Sequence, residues 1–199
     1  MAMRERIRAY MKKISAYNRI SHSDEIGRRY FAMNAFDGIL TTLGILFGSY
    51  AGNIREPHVV FITGMGAAVA MGVSGFWGAY ETERAERSRD LKELEDATLR
   101  SLADTEISRA GDFAVWTASI IDGVSPFAAA MLVIFPFFLP LSIERMYLSA
   151  TVLAFLSLAA LGAYLGSLSK KSMTKGALKM VLAGVISAAI SVLLIGKAV

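Results

Sequence analysis

Apolar stretches alternate with polar segments along the whole chain. The five stretches cover about residues 30–51, 58–80, 113–141, 147–169 and 176–196. Each is long enough to cross a hydrocarbon core, which takes roughly 20 mostly apolar residues in a helix. The chain is 54% hydrophobic and 19% charged, with a mean hydropathy of +0.47, which is too apolar for an ordinary soluble domain. We therefore predict an all-α, polytopic membrane protein with five transmembrane helices.

Lysine and arginine residues predict the orientation and the domain organisation. They concentrate in the N-terminal segment 1–29, in the linker 81–112 and in the turn 170–175, whereas the two other turns hold only Arg55 and Arg145. By the positive-inside rule, the N-terminus, linker and basic turn are cytoplasmic and the C-terminus is extracytoplasmic, with residues 30–196 as the transmembrane domain. The net charge of +4 then reflects topology and contact with membrane lipids rather than nucleic-acid binding. We expect an integral protein of the cell membrane.

The N-terminal segment has the pattern of an amphipathic helix. Its apolar residues recur at three- and four-residue spacing, with basic residues between them: Ile7, Tyr10, Met11, Ile14 and Tyr17. This pattern suits a helix lying on the membrane surface, and a solvated helix is the alternative.

The chain has no cysteine, so disulfides and thiolate metal sites are excluded.

Two aspartates lie inside apolar stretches, Asp37 in the first and Asp122 in the third. A carboxylate at membrane depth is costly without a partner, which makes each a candidate for handling ions or protons. Met33, Asp37 and Thr41 are four residues apart and share one helix face. A thioether, a carboxylate and a hydroxyl together favour a transition metal over calcium or magnesium. The alternative is that both aspartates only join neighbouring helices through hydrogen bonds.

Asp37-Gly38 and Asp122-Gly123 also suggest an internal duplication. The two pairs lie 85 residues apart, and Gly78-Ala79-Tyr80 recurs 84 residues later. Transporters are often built from duplicated helix sets. We predict a parallel repeat of two-helix units, with the fifth helix outside it.

Three further features bear on the predicted site. Pro126 has no N–H to donate to the carbonyl of Asp122, four residues earlier, which makes that carbonyl a candidate ion ligand. Met71, inside the second stretch, is a candidate thioether ligand, although methionine commonly fills gaps in a core. Glycine columns, such as Gly44, Gly48 and Gly52, permit close helix contact within the chain or across a homodimer, and we predict a homodimer through that face or its neighbours.

The linker carries many carboxylates. If the second span continues as a helix, four of them form one stripe: Glu83, Glu86, Asp90 and Glu93. The stripe either gathers divalent cations at a pore mouth or belongs to a solvated helix with salt bridges.

The first apolar stretch resembles a known family signature. Residues 34–52, with Asn34-Ala-Phe-Asp37-Gly38 followed by a Gly-rich helix, are similar to the first span of the vacuolar iron transporter family. The resemblance implies a homodimer that exports Fe²⁺ or Mn²⁺ from the cytoplasm in exchange for protons, along a pathway at the subunit interface. The metal is then substrate, with no permanently bound cofactor. Where the family often has Glu-Tyr in the second span, this chain has Phe76-Trp77, and Glu81 is the candidate substitute.

Two other functions are compatible with an intramembrane Asp-Gly. One is a non-transporting membrane scaffold. The other is a metal-dependent phosphotransferase embedded in the membrane. Such enzymes need further aspartates at short helical intervals and an Ala-Arg pair after the Asp-Gly, and residues 39–42 provide neither. We therefore predict a transporter and not an enzyme.

Overall fold

The computed structural model describes residues 2–195. In that range it contains six α-helices, one short 3-10 helix and no strand. The α-helices are α1 Ala2–Ser21, α2 Ser23–Ala51, α3 Pro57–Thr98, α4 Glu106–Ile134, α5 Ile143–Leu168 and α6 Met173–Ile195, and the 3-10 helix is Phe135–Phe138. The last residue of the predicted fifth stretch, Gly196, lies outside the described range.

Helices α2 to α6 provide five segments long and apolar enough to cross a membrane, and α1 precedes them. This confirms the prediction of an all-α chain with five spans. α3 has 42 residues and continues well beyond the apolar stretch that ends at Tyr80. At 1.5 Å per residue it is about 63 Å long, roughly twice the thickness of a hydrocarbon core. The first part of the predicted linker is therefore a continuation of the second span.

Prolines shape the third span differently at two positions. Pro126 lies inside α4 without ending it. At Pro136 the α-helix has already given way to the 3-10 helix, which ends at Phe138. Proline explains this change, because it has no N–H to donate to the preceding helical turn, whereas the first turn of a new helix does not need that donor. The regular helix thus begins and ends earlier than the stretch 113–141 that the apolar pattern predicts.

The chain divides into two compact units. The first unit combines the residues up to Phe31 with Val73–Gly123, and the second combines Ala32–Gly72 with the residues from Val124 onward. Helices α2, α3 and α4 each contribute to both units. Asp37 belongs to the second unit and Asp122 to the first.

The core of the second unit is apolar. Its most buried large side chains include Leu43, Leu46, Val60, Ile134 and Leu158. Between α5 and α6 the backbones come close, because a Cβ atom on Gly162 would lie only 2.8 Å from the Cα atom of Ala177. Small residues at such a contact are typical of helices that pack in a membrane.

The outer surfaces of α5 and α6 carry large apolar side chains. The exposed ones include Leu148, Val152 and Leu156 on α5 and Leu178, Leu182 and Ile186 on α6. Contiguous apolar surface of this extent is expected where hydrocarbon, not water, surrounds the helices.

Candidate functional site

The Asp37 side chain lies on an exposed face of α2. Met33 is 55% exposed, and Asp37 and Thr41 are exposed as well. On the other faces of the same helix, Ile39 and Leu43 are buried in the core of the second unit. The structure therefore brings the three predicted ligands to one outward-facing column, which we call the α2 column. Their role as ligands stays a prediction.

Gly38 explains why the column faces outward. It is buried, and a Cβ atom there would overlap the carbonyl oxygen of Pro126 and lie 2.8 Å from the Cα atom of that residue. The hydroxyl of the buried Thr42 donates a hydrogen bond to the Gly38 carbonyl, at 2.8 Å. The close contact between α2 and α4 at Gly38 therefore fixes the rotation of α2 about its axis, and that rotation directs Asp37 away from the core.

An exposed carboxylate in this position has a physical cost. A charged side chain near the middle of a membrane helix costs about 3 kcal/mol or more when lipid surrounds it.

Further along the same face of α2, a Cβ atom on Gly44 would lie 3.6 Å from the Ser191 hydroxyl of α6. Gly44, on the face that we predicted for a dimer contact, is thus close to α6 of its own chain, and the dimer stays a prediction. The α2 column is the part of this face that remains exposed.

Met71 lies on α3 in the same unit as the α2 column and is half-buried. Among residues 2–195, no group of three or more His, Cys, Asp or Glu side chains is placed to hold a metal ion. A metal ion at Asp37 would therefore need ligands of other types, such as the Met33 thioether and the Thr41 hydroxyl, or ligands from another molecule.

Asp122 has a different environment in the first unit. It is only 7% exposed, on α4. A Cβ atom on Gly75 of α3 would lie 2.8 Å from the Asp122 carbonyl oxygen and 3.2 Å from its Oδ2 atom. The Asp122 carbonyl therefore faces the backbone of α3, which approaches closely because Gly75 has no side chain.

Glu83 is separated from the rest of the predicted carboxylate stripe. It is 8% exposed, and its Oε1 atom accepts a hydrogen bond from the Tyr30 hydroxyl at 3.0 Å. Its Oε2 atom lies 3.8 Å from Nε of Arg87, whose Nη2 atom donates to the Ser21 carbonyl at 3.2 Å. Glu83 thus links α2 and α3 and, through Arg87, the end of α1.

The other carboxylates of the stripe, and Glu81, are exposed. Glu81 and Glu86 face outward, as do Asp90 and Glu93, which lie 3.7 Å and 3.6 Å from Arg89. α3 continues as a helix past all four carboxylates of the predicted stripe. Only three of them are exposed together, because Glu83 is buried against Tyr30. Metal binding by these residues stays a prediction.

We expect Glu83 and Glu86 to differ in their effect on stability. Glu83→Gln keeps the shape of the side chain but removes the charge beside Arg87, so it should lower the free energy of unfolding by about 1–3 kcal/mol. Glu86→Gln is the matched control on an exposed position and should change it by less than about 0.5 kcal/mol. Unfolding of the purified variants in detergent measures both, and equal losses would contradict the structural role of Glu83.

Comparison with known proteins gives two matches. A model of the VIT family matches residues 81–197, which include the continuation of α3 and the helices α4 to α6. The chain is also 30% identical to an uncharacterized protein of Methanocaldococcus jannaschii over 177 residues, which is 87% of this chain and 91% of the relative. Asp37 and the rest of the first-span motif lie before the residues that the family model matches.

Proposed function

The chain belongs to the VIT family, the vacuolar iron transporter family whose first-span motif it resembles, and we propose that it exports Fe²⁺ or Mn²⁺ from the cytoplasm in exchange for protons. Family membership makes it an integral membrane transporter of metal ions. The identity of the metal, the direction of transport and the proton coupling are the parts that we propose. We place it in the cell membrane with a cytoplasmic N-terminus, on the distribution of basic residues.

The observation that carries the proposal is the exposed α2 column. Asp37 provides a hard anionic oxygen, Thr41 a neutral oxygen and Met33 a soft sulfur. Ions such as Fe²⁺ and Mn²⁺ accept this mixture, whereas Mg²⁺ and Ca²⁺ prefer shells made of oxygen alone. The metal is cargo, so the site must release it as well as bind it, and a small set of ligands suits that requirement.

A second copy of the chain completes such a site. The α2 column is exposed in one molecule, and a carboxylate there is costly in contact with lipid. Twofold symmetry would bring the columns of two molecules together and double the number of ligands in one site. We therefore propose a homodimer with the transport pathway between the subunits, next to α2.

Cross-linking tests the dimer directly. The chain has no cysteine, so Thr41→Cys introduces a unique thiol in the α2 column. A short bifunctional thiol reagent should join two copies of this variant in membranes. Val152→Cys, on the exposed surface of α5, is the matched control and should remain monomeric on a denaturing gel. Cross-linking that is equally weak in both variants would contradict the proposed dimer interface at the α2 column.

Proton exchange follows from the chemistry of a carboxylate ligand. A metal ion binds the ionised form of Asp37, so binding releases any proton that the group carries. Metal and proton then compete for one site. If the site faces each side of the membrane in turn, protons from the acidic side displace the metal there, and the emptied site returns protonated. Metal should therefore accumulate on the acidic side.

Flux measurements in sealed liposomes test the proposed function. We expect liposomes with an acidic lumen to take up Fe²⁺ or Mn²⁺, and the lumen to become less acidic as they do so. Mg²⁺ and Ca²⁺ should not be taken up. Metal uptake that matches protein-free liposomes for every ion would favour the membrane scaffold. Uptake without any proton movement would contradict the exchange.

A further inference from the structure

The N-terminal half of α1 carries an exposed apolar stripe. Its members are 58–77% exposed: Met3, Ile7, Tyr10 and Met11. Their spacing of four, three and one residues places them on one face of the helix. Four large apolar side chains that the protein leaves exposed on one helix face mark an interaction surface.

Basic residues border this stripe on both sides. At 100° per residue, Arg4 and Arg8 fall along one edge, and Arg6 and Lys13 along the other. Lys12 follows on the polar face, and Glu5 is the only acid in α1. An apolar face with arginines and lysines along both edges fits a bilayer, since long basic side chains can extend to the phosphates while the face enters the acyl region.

The other end of α1 is held at the edge of the apolar spans. The Tyr17 and Phe113 rings lie 6.0 Å apart, and Phe113 is the first residue of the third apolar stretch. The Ser21 carbonyl accepts its hydrogen bond from Arg87, seven residues after the second stretch ends. These contacts hold the end of α1 beside the ends of the second and third apolar stretches, where lipid headgroups are expected. Tyr17 lies on the same side of α1 as the stripe.

We propose that α1 lies in the membrane–water interface, with the stripe among the acyl chains and the basic residues on anionic lipid headgroups. The charge pattern favours lipid over a protein, because a protein groove would need acidic residues along both edges. Lipid is also within reach, since the chain crosses the membrane next to the end of α1. This site is separate from the α2 column and does not depend on transport.

Because the chain has no native cysteine, single spin labels can locate the two faces of α1. Ile7→Cys places a label in the stripe, and Ala9→Cys places a matched label on the opposite, exposed face. The full chain is reconstituted in phosphatidylcholine vesicles with and without phosphatidylglycerol. With phosphatidylglycerol, the label at position 7 should collide frequently with oxygen dissolved in the acyl region and should be several-fold less accessible to a water-soluble nickel chelate than the label at position 9. The label at position 9 should stay accessible to the chelate.

Removing the charges tests the role of anionic lipid. We would change all five basic residues of this segment to Gln in the Ile7→Cys background: Arg4, Arg6, Arg8, Lys12 and Lys13. In vesicles with phosphatidylglycerol, the label at position 7 should then become as accessible to the chelate as the label at position 9. Low chelate access at position 7 that survives this change would overturn the proposal in favour of a protein contact. Equal chelate access at positions 7 and 9 in phosphatidylglycerol vesicles would also overturn it.

Discussion

Asp37→Asn should reduce metal flux by at least about 100-fold. Asparagine has nearly the same shape, but it cannot carry the negative charge that offsets a divalent cation at membrane depth. Mutation of a residue that merely supports a metal ligand typically costs about 10–100-fold in affinity or activity, so losing the ligand itself should cost at least as much. The proton movement that accompanies metal uptake should disappear with it. Both are measured in the same liposomes.

Two other aspartates serve as comparisons. Asp104→Asn changes an exposed residue in the turn between α3 and α4 and should leave flux unchanged. Asp122→Asn should impair flux less than Asp37→Asn, because Asp122 is buried between α4 and α3 rather than in the α2 column. If the Asp37→Asn protein folds, reconstitutes and moves metal at the unmodified rate, Asp37 is a structural residue.

The helices themselves were predictable from the sequence, because length and apolar composition decide whether a segment spans a membrane. The first apolar stretch and α2 both end at Ala51, and the second stretch begins within one residue of Pro57. The third span was less predictable at its end. Phe135 and Phe137 continue the apolar pattern, but Pro136 removes a backbone donor, and the regular helix stops before it.

The faces of the helices were less predictable. Periodicity groups Met33 with Asp37, and Glu83 with Glu86, but it does not say which face meets the protein. For Glu83 the answer depends on the Tyr30 hydroxyl, which is 53 residues away in the sequence. For Asp37 it depends on the contact between Gly38 and Pro126. Both are tertiary contacts, and no local pattern in a single sequence reports them.

The contact at Gly38 leads to the second large effect that we expect. Gly38→Ala leaves Asp37, Met33 and Thr41 in place but adds a methyl group where the backbone of α4 already lies, 2.8 Å from the Cα atom of Pro126. Backbone atoms in a packed helix cannot swing aside as a flexible side chain does. The two helices must separate or α2 must rotate, at a cost of about 1–3 kcal/mol in the free energy of unfolding.

Because rotation of α2 displaces the whole α2 column, Gly38→Ala should also reduce metal flux, by about tenfold or more, although every proposed ligand is retained. Gly66→Ala is the matched control, since a Cβ atom on this exposed glycine of α3 would meet nothing within 4 Å. It should leave flux unchanged and should not lower stability, because alanine favours a helix more than glycine does. If Gly38→Ala retains both full flux and full stability, the contact with Pro126 does not position Asp37, and the outward rotation of α2 has another cause.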